Sequence, residues 1–281
     1  MGALPPLSAE KGGIVRQTPG QTIVNNVLQD RDFLLQRMEN FLRRCRVEDS
    51  PDKCDRPRAS LTISRQCGVG LFRFSRRLLE YLDSVDSLSG SGWALIDQSF
   101  IGRIVEEGRF PGTPVRFTPD RSKFPVSPAL EETLNIPPDQ WTLFNHSANT
   151  IRTLCRHGNT IIVGRAGNFV TADLPNTFHV RLIGGKARRI SATADRYQIG
   201  ENEATELVEE SDKARARFVK RHTDADIDDA FAYHLVINTD NLSDELVVRI
   251  IVDSLHEWET LGNGAENPHL LRVASVGNMK R

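Results

Sequence analysis

Between residues 59 and 260 the chain alternates short apolar runs with longer segments whose apolar residues recur every three or four positions. The runs Leu61-Thr62-Ile63, Trp93-Ala94-Leu95-Ile96, Ile161-Ile162-Val163, Phe178 to Ile183 and Leu235-Val236-Ile237 predict five strands. Between them, Phe74 to Leu82, Ala148 to Arg156, Glu203 to Arg221 and Asp244 to Leu255 carry a helical period. Strands that alternate with helices are joined by right-handed crossovers, which gives an α/β fold whose mainly parallel sheet is covered on both faces. Such sheets take ligands at the carboxyl ends of their strands. Phe110 to Pro138 is rich in proline without a clear period and predicts a long loop over that edge.

Outside this region the pattern changes. Residues 1–20 hold Pro5, Pro6, Gly12, Gly13, Pro19 and Gly20 and predict an irregular arm. From Thr22 to about Arg46, Val24, Val27, Leu28, Leu34, Leu35, Met38, Phe41 and Leu42 fall at helical spacing. The segment Glu48 to Pro57, broken by Pro51, Asp52, Asp55 and Pro57, reads as a linker. The expected organisation is an arm and helical extension over 1–58, a main domain over 59–260, and a flexible tail over 261–281. The apolar face of the extension, lying outside that domain, raises the expectation of a homodimer formed through it.

Composition narrows the partners. The 281 residues include 36 basic and 37 acidic side chains, for a formal charge of -1, so no global field attracts nucleic acid or an anionic membrane. Any anion site is local. Cys45, Cys54, Cys67 and Cys155 are far apart and form no Cys-x-x-Cys pair, which speaks against a zinc site or a disulfide framework and for reduced thiols in the cytoplasm. No signal-type segment opens the chain and no run approaches the roughly 20 apolar residues of a spanning helix. The seven histidines show no His-Glu-x-x-His or related metal spacing, and no Gly-x-Ser-x-Gly elbow is present.

The first strand runs into Ser64-Arg65-Gln66-Cys67-Gly68-Val69-Gly70, just before a helical pattern. A strand, a glycine turn and a helix form a phosphate cradle when successive backbone N–H groups face an anion and the helix start adds partial positive charge. Gly-x-Gly also serves ordinary tight turns, so the motif alone fits either role.

From Leu61 to about Leu255 the order and spacing of motifs resembles the cytidylate-kinase-like family of P-loop phosphotransferases. The opening strand and glycine loop are followed by Gly92-Trp93-Ala94-Leu95-Ile96-Asp97, by Gly158 to Val163 with the turn Gly164-Arg165-Ala166, and by Phe178 to Leu182. Glu210-Ser211-Asp212-Lys213-Ala214-Arg215 and Tyr233 to Thr239 complete the series. The resemblance implies a three-layer P-loop fold with a five-stranded parallel sheet and a lid near residues 185–221. It also implies ATP with Mg2+, and a nucleoside monophosphate acceptor such as CMP or dCMP.

Site residues follow from the same resemblance. Gly68, Val69 and Gly70 would cradle phosphate, and Arg165 would grip a phosphate bidentately at the ligand edge. Arg189 and Arg196, in the basic stretch that also holds Arg188, would close over the phosphates as part of the lid. Asp212 would orient substrate or Arg215, and Arg215 would meet a phosphate; an ion pair between two residues three apart on a helix is the competing account. Asp97 either contacts the acceptor or caps the helix that follows it. The sequence departs from the general P-loop where lysine and serine or threonine are expected, since Leu71 and Phe72 stand there. Arg73 or Arg76 would then have to replace the missing charge, or both are solvated helix residues and the site binds without turnover.

Overall fold

The computed structural model describes residues 32–45, 58–85, 92–97, 100–101, 140–164 and 166–261. The arm, the 48–57 linker, the 110–138 loop, the 262–281 tail and Arg165 lie outside the described residues.

Five strands form one sheet in the order β2-β3-β1-β4-β5, every neighbouring pair parallel. They are β1 (Ser60–Arg65), β2 (Ala94–Ile96), β3 (Thr160–Val163), β4 (Thr177–Ile183) and β5 (Leu235–Asn238). The helices are α1 (residues 32–45), α2 (Leu71–Val85), α3 (Gln140–His157), α4 (Gly167–Val170), α5 (Lys186–Tyr197), α6 (Glu201–Thr223) and α7 (Asp244–Thr260). All five expected strands are present, as is the parallel arrangement.

Alternation along each strand sorts side chains between the two faces. Leu61, Ile63, Ile161, Val163, Val180 and Leu182 pack with Leu78 of α2 and Ile251 of α7 in one cluster. Between them, Ala94, Ile96 and Ile162 point the other way, against Ile151 and Leu154 of α3. The sheet is therefore the middle of three layers, buried on both faces.

Helix α1 belongs to this body. Leu34 joins the first cluster, while Met38, Phe41, Leu42 and Cys45 join the second. Arg37 donates to the Trp93 carbonyl at 3.1 Å and pairs with Asp83, and Arg44 donates to the Gly92 carbonyl at 2.7 Å. The apolar face from which a dimer was expected is thus spent, over these residues, on the chain's own core.

Helix ends follow local chemistry. Ser243 caps α7 by accepting the Leu246 N–H at 3.2 Å, with Asp244 and Glu245 in the first turn where acidic groups suit the helix dipole. Helix α5 stops at Gln198 in the left-handed conformation, two residues before Gly200 opens α6. Among the described residues no helix is long and apolar enough to cross a membrane.

Candidate functional site

The glycine loop lies between β1 and α2, at the carboxyl edge of the central strand. Gly68 and Gly70 both take positive φ, 85° and 81°, which a side chain would strain. Val69 between them is buried in the core and anchors the loop from below. Leu71, the first residue of α2, is 2% exposed and packs into the same cluster.

Helices α5 and α6 meet this loop directly. The backbone N–H of Cys67 donates to Asp212 Oδ1 at 2.8 Å, and Arg189 Nη1 donates both to Asp212 Oδ2 at 2.6 Å and to the Cys67 carbonyl at 3.1 Å. Arg189 Nε donates to the Gly184 carbonyl at 2.9 Å. Arg215 Nη1 reaches Asp212 Oδ1 at 3.3 Å. A loop N–H and two guanidinium groups therefore surround one carboxylate. Helix α5 approaches so closely that a Cβ on Gly68 would stand 2.4 Å from the Arg189 carbonyl oxygen. A small apolar cluster of Ile190, Ala204 and Val208, with Cys67 packed against it, completes the seam between lid and loop.

Neighbouring turns extend the edge. Gly184 donates its N–H to Gln66 Oε1 at 3.0 Å, and Gly185 donates to Asp240 Oδ2 at 2.7 Å, which joins β1, β4 and the turn after β5. The other Asp240 oxygen is buried with no hydrogen-bond partner among the described residues. Behind the loop, buried Arg181 donates to Ser64 Oγ at 2.8 Å, pairs with Asp228 and lies over the Tyr233 ring.

The structure thus brings together Gly68, Arg189, Asp212 and Arg215 of the residues expected from sequence. It sets others apart. Arg73 lies across Gly70 but directs Nη2 to Asp244 at 3.2 Å, and Arg76 pairs with Glu80 at 2.9 Å on the helix surface. Arg196 is exposed and lies over the ring of Tyr197. Asp97 Oδ1 accepts the Phe100 N–H at 3.1 Å, which is the capping arrangement. Arg165 is outside the described residues. Sequence reasoning passed over Gln66, Gly184 and Asp240; the paired Gly184-Gly185 directly after a strand was the available signal.

A family model described as the cytidylate kinase-like family matches residues 92–241, more than half of the chain. The chain belongs to the cytidylate kinase-like family. The match takes in β2 to β5 and helices α5 and α6 of this cytidylate kinase-like protein, and it begins after β1 and the glycine loop. No curated protein matches the chain. Among solved structures, an uncharacterized protein from Eubacterium ventriosum matches with a TM-score of 0.52 at 15% identity, over 71% of this chain and 99% of that one. That likeness concerns the fold.

Proposed function

We propose that this chain binds ATP through its phosphates at the carboxyl edge of the sheet and transfers a phosphoryl group to a nucleoside monophosphate of the CMP or dCMP kind. One observation carries the reading: the Asp212 carboxylate takes a glycine-loop N–H and Arg215 on one oxygen and Arg189 on the other. An oxyanion held by a backbone N–H and guanidinium groups is the chemistry a phosphoryl oxygen requires. In this reading Gly68, Val69 and Gly70 shape the cradle, Arg189 and Arg196 belong to the closing lid, and Asp212 positions Arg215. Arg165, the residue after Gly164, grips a transferred or accepting phosphoryl group.

Catalysis here rests on positioning and on neutralising charge, because phosphoryl transfer asks little covalent chemistry of the protein. Closing the lid over the loop would exclude water from the transferring group. The loop fits phosphate. Its fit to magnesium is poor, since Phe72 offers no hydroxyl at the usual place and no group of three or more His, Cys, Asp or Glu among the described residues could hold a metal ion. Magnesium would come to the site on the nucleotide's own phosphates. The free thiols Cys67 and Cys155 suit a reducing, cytoplasmic setting.

A second reading is favoured by the burial of Leu71: the fold binds nucleotide, or a partner, without turnover. Calorimetry with magnesium-ATP and with each nucleoside monophosphate, followed by a coupled phosphotransfer assay on every pair that binds, separates the two. Turnover with CMP or dCMP supports the kinase reading. Binding without turnover selects the silent one, and absence of nucleotide binding removes both.

A further inference from the structure

The anion-binding groups at the glycine loop are engaged by a side chain of the protein itself. Asp212 Oδ1 accepts the Cys67 N–H at 2.8 Å, and Oδ2 accepts from Arg189 Nη1 at 2.6 Å. A loop N–H and a guanidinium are the donors that a phosphoryl oxygen would use there. Carboxylate and phosphate are both anionic acceptors, so Asp212 and a nucleotide compete for the same two groups.

The partners come from three elements: Cys67 lies between β1 and α2, Arg189 on α5 and Asp212 on α6. Their contact therefore draws both helices onto the loop. Arg189 Nη1 also donates to the Cys67 carbonyl at 3.1 Å, and the Arg189 carbonyl oxygen lies 2.4 Å from where a Cβ on Gly68 would stand. A phosphate approaching Gly68 from that side meets a backbone oxygen, which repels it. Ile190, Ala204 and Val208 pack together with Cys67 against them and add an apolar hold to the same closed arrangement. The Arg215 contact is of another kind. Arg215 Nη1 reaches Asp212 Oδ1 at 3.3 Å from three residues along the same helix, so this pair travels with α6. Asp212 can leave the loop and still hold Arg215.

Resting on the phosphate-binding reading above, we infer that Asp212 is a built-in competitor of phosphate: it latches α5 and α6 onto the glycine loop until a nucleotide displaces it from Cys67 and Arg189. The contact is autoinhibitory. The affinity of the wild-type chain is then its intrinsic affinity reduced by the fraction of molecules in which the latch is open. The exchange is close to balanced, because the incoming phosphate inherits the N–H and the guanidinium that the carboxylate gives up. With 26% of the Asp212 side chain exposed, solvent weakens the latch without cancelling it.

The test is calorimetry on the full chain with inorganic tripolyphosphate and with ADP. Asp212→Asn keeps an acceptor for the Cys67 N–H and loses the charge, so it should bind both ligands about three- to five-fold more tightly than wild type, the size expected for releasing a partly solvated ion pair. Glu210→Gln removes the same charge two residues away on α6, where Glu210 pairs with Lys213 at 3.0 Å, and should leave both affinities within about two-fold. A gain confined to Asp212→Asn supports the latch. Unchanged or weaker binding in Asp212→Asn makes Asp212 an orienting residue and overturns the inference while leaving the nucleotide reading in place, as does an equal gain in Glu210→Gln. If Asp212→Asn does not fold, carbon NMR of the wild type decides. The Asp212 carboxyl resonance should move on saturation with tripolyphosphate, and a resonance that stays overturns the latch. If neither the wild type nor Asp212→Asn binds tripolyphosphate or any nucleotide, the phosphate-binding reading falls and this inference with it.

Discussion

Asp212 accepts the backbone N–H of Cys67 at 2.8 Å across 145 positions of sequence, and this bond joins helix α6 to the glycine loop. The same carboxylate takes Arg189 and Arg215. Asp212→Ala removes one acceptor from each guanidinium and the acceptor of the Cys67 N–H. A stability loss of about 1 to 2 kcal/mol is expected, below the full value for charge-assisted bonds because the carboxylate is partly solvated. Urea unfolding followed by circular dichroism reads it. An unchanged midpoint would show that lid and loop are held by their apolar seam alone.

A lysine at position 71 should not improve nucleotide binding. Leu71 packs inside the cluster beneath α2, so Leu71→Lys places an ammonium where its hydration cannot be replaced. The expected outcome is a loss of several kcal/mol in stability with no gain in ATP affinity. Differential scanning fluorimetry with and without magnesium-ATP tests both halves, and a variant that melts normally and binds ATP more tightly would refute the prediction.

Two glycines near the lid should respond oppositely to substitution. Gly68→Ala forces a side chain into φ 85° and into the Arg189 carbonyl, costing at least about 1 to 2 kcal/mol from the backbone conformation alone. The melting temperature should fall by roughly 4 °C or more. Gly200 caps α6 at φ -68° with nothing within 4 Å of an added Cβ, so Gly200→Ser supplies a side-chain cap and should stabilise by a few tenths of a kcal/mol. Calorimetric melting of both variants against wild type decides.

Stability should fall as pH drops below the ordinary histidine range. His179 is 1% exposed, its Nδ1 shares a hydrogen bond with Thr62 Oγ1 at 2.8 Å, and its ring stacks on His234 at 5.0 Å. Burial, reinforced by the neighbouring His234, holds His179 well below the usual value of 6.5. Burial of its ring pushes His234 down to about 4, although part of that residue remains exposed, so the enclosed His179 is expected to dominate. Both are neutral when folded and gain a proton on unfolding. The stability they contribute is therefore complete above pH 6.5 and is lost progressively toward pH 4. Urea midpoints measured across that window should decline, and His179→Gln should flatten the decline. An equally steep profile in His179→Gln would assign it to carboxylates.

The sheet was legible because each strand carries its own evidence. Ile161 to Val163 is apolar at every position, as burial on both faces demands, and Leu61 and Ile63 flank Thr62 in the alternation that the structure resolves into two clusters. Asp97 shows where local pattern stops, since capping and substrate contact demand the same residue in the same place, and only the Phe100 N–H separates them. The closure of Arg189 and Asp212 on Cys67 was beyond reach. No periodicity links Cys67 to Asp212, and the partner of a charged helix residue is set by tertiary packing. The same holds for α1, whose amphipathic face is plain in sequence while its destination is not.

That destination bears on how the chain is made. Met38, Phe41 and Leu42 are completed by Ile151, Leu154 and Leu174, which leave the ribosome well over a hundred residues later. At synthesis rates of about 5 to 20 residues per second, the apolar stripe of α1 waits on the order of ten seconds for the surface that covers it. Throughout that interval it is a binding site for whatever holds nascent apolar segments, and the helix that ends as part of the core begins open to chaperones and proteases.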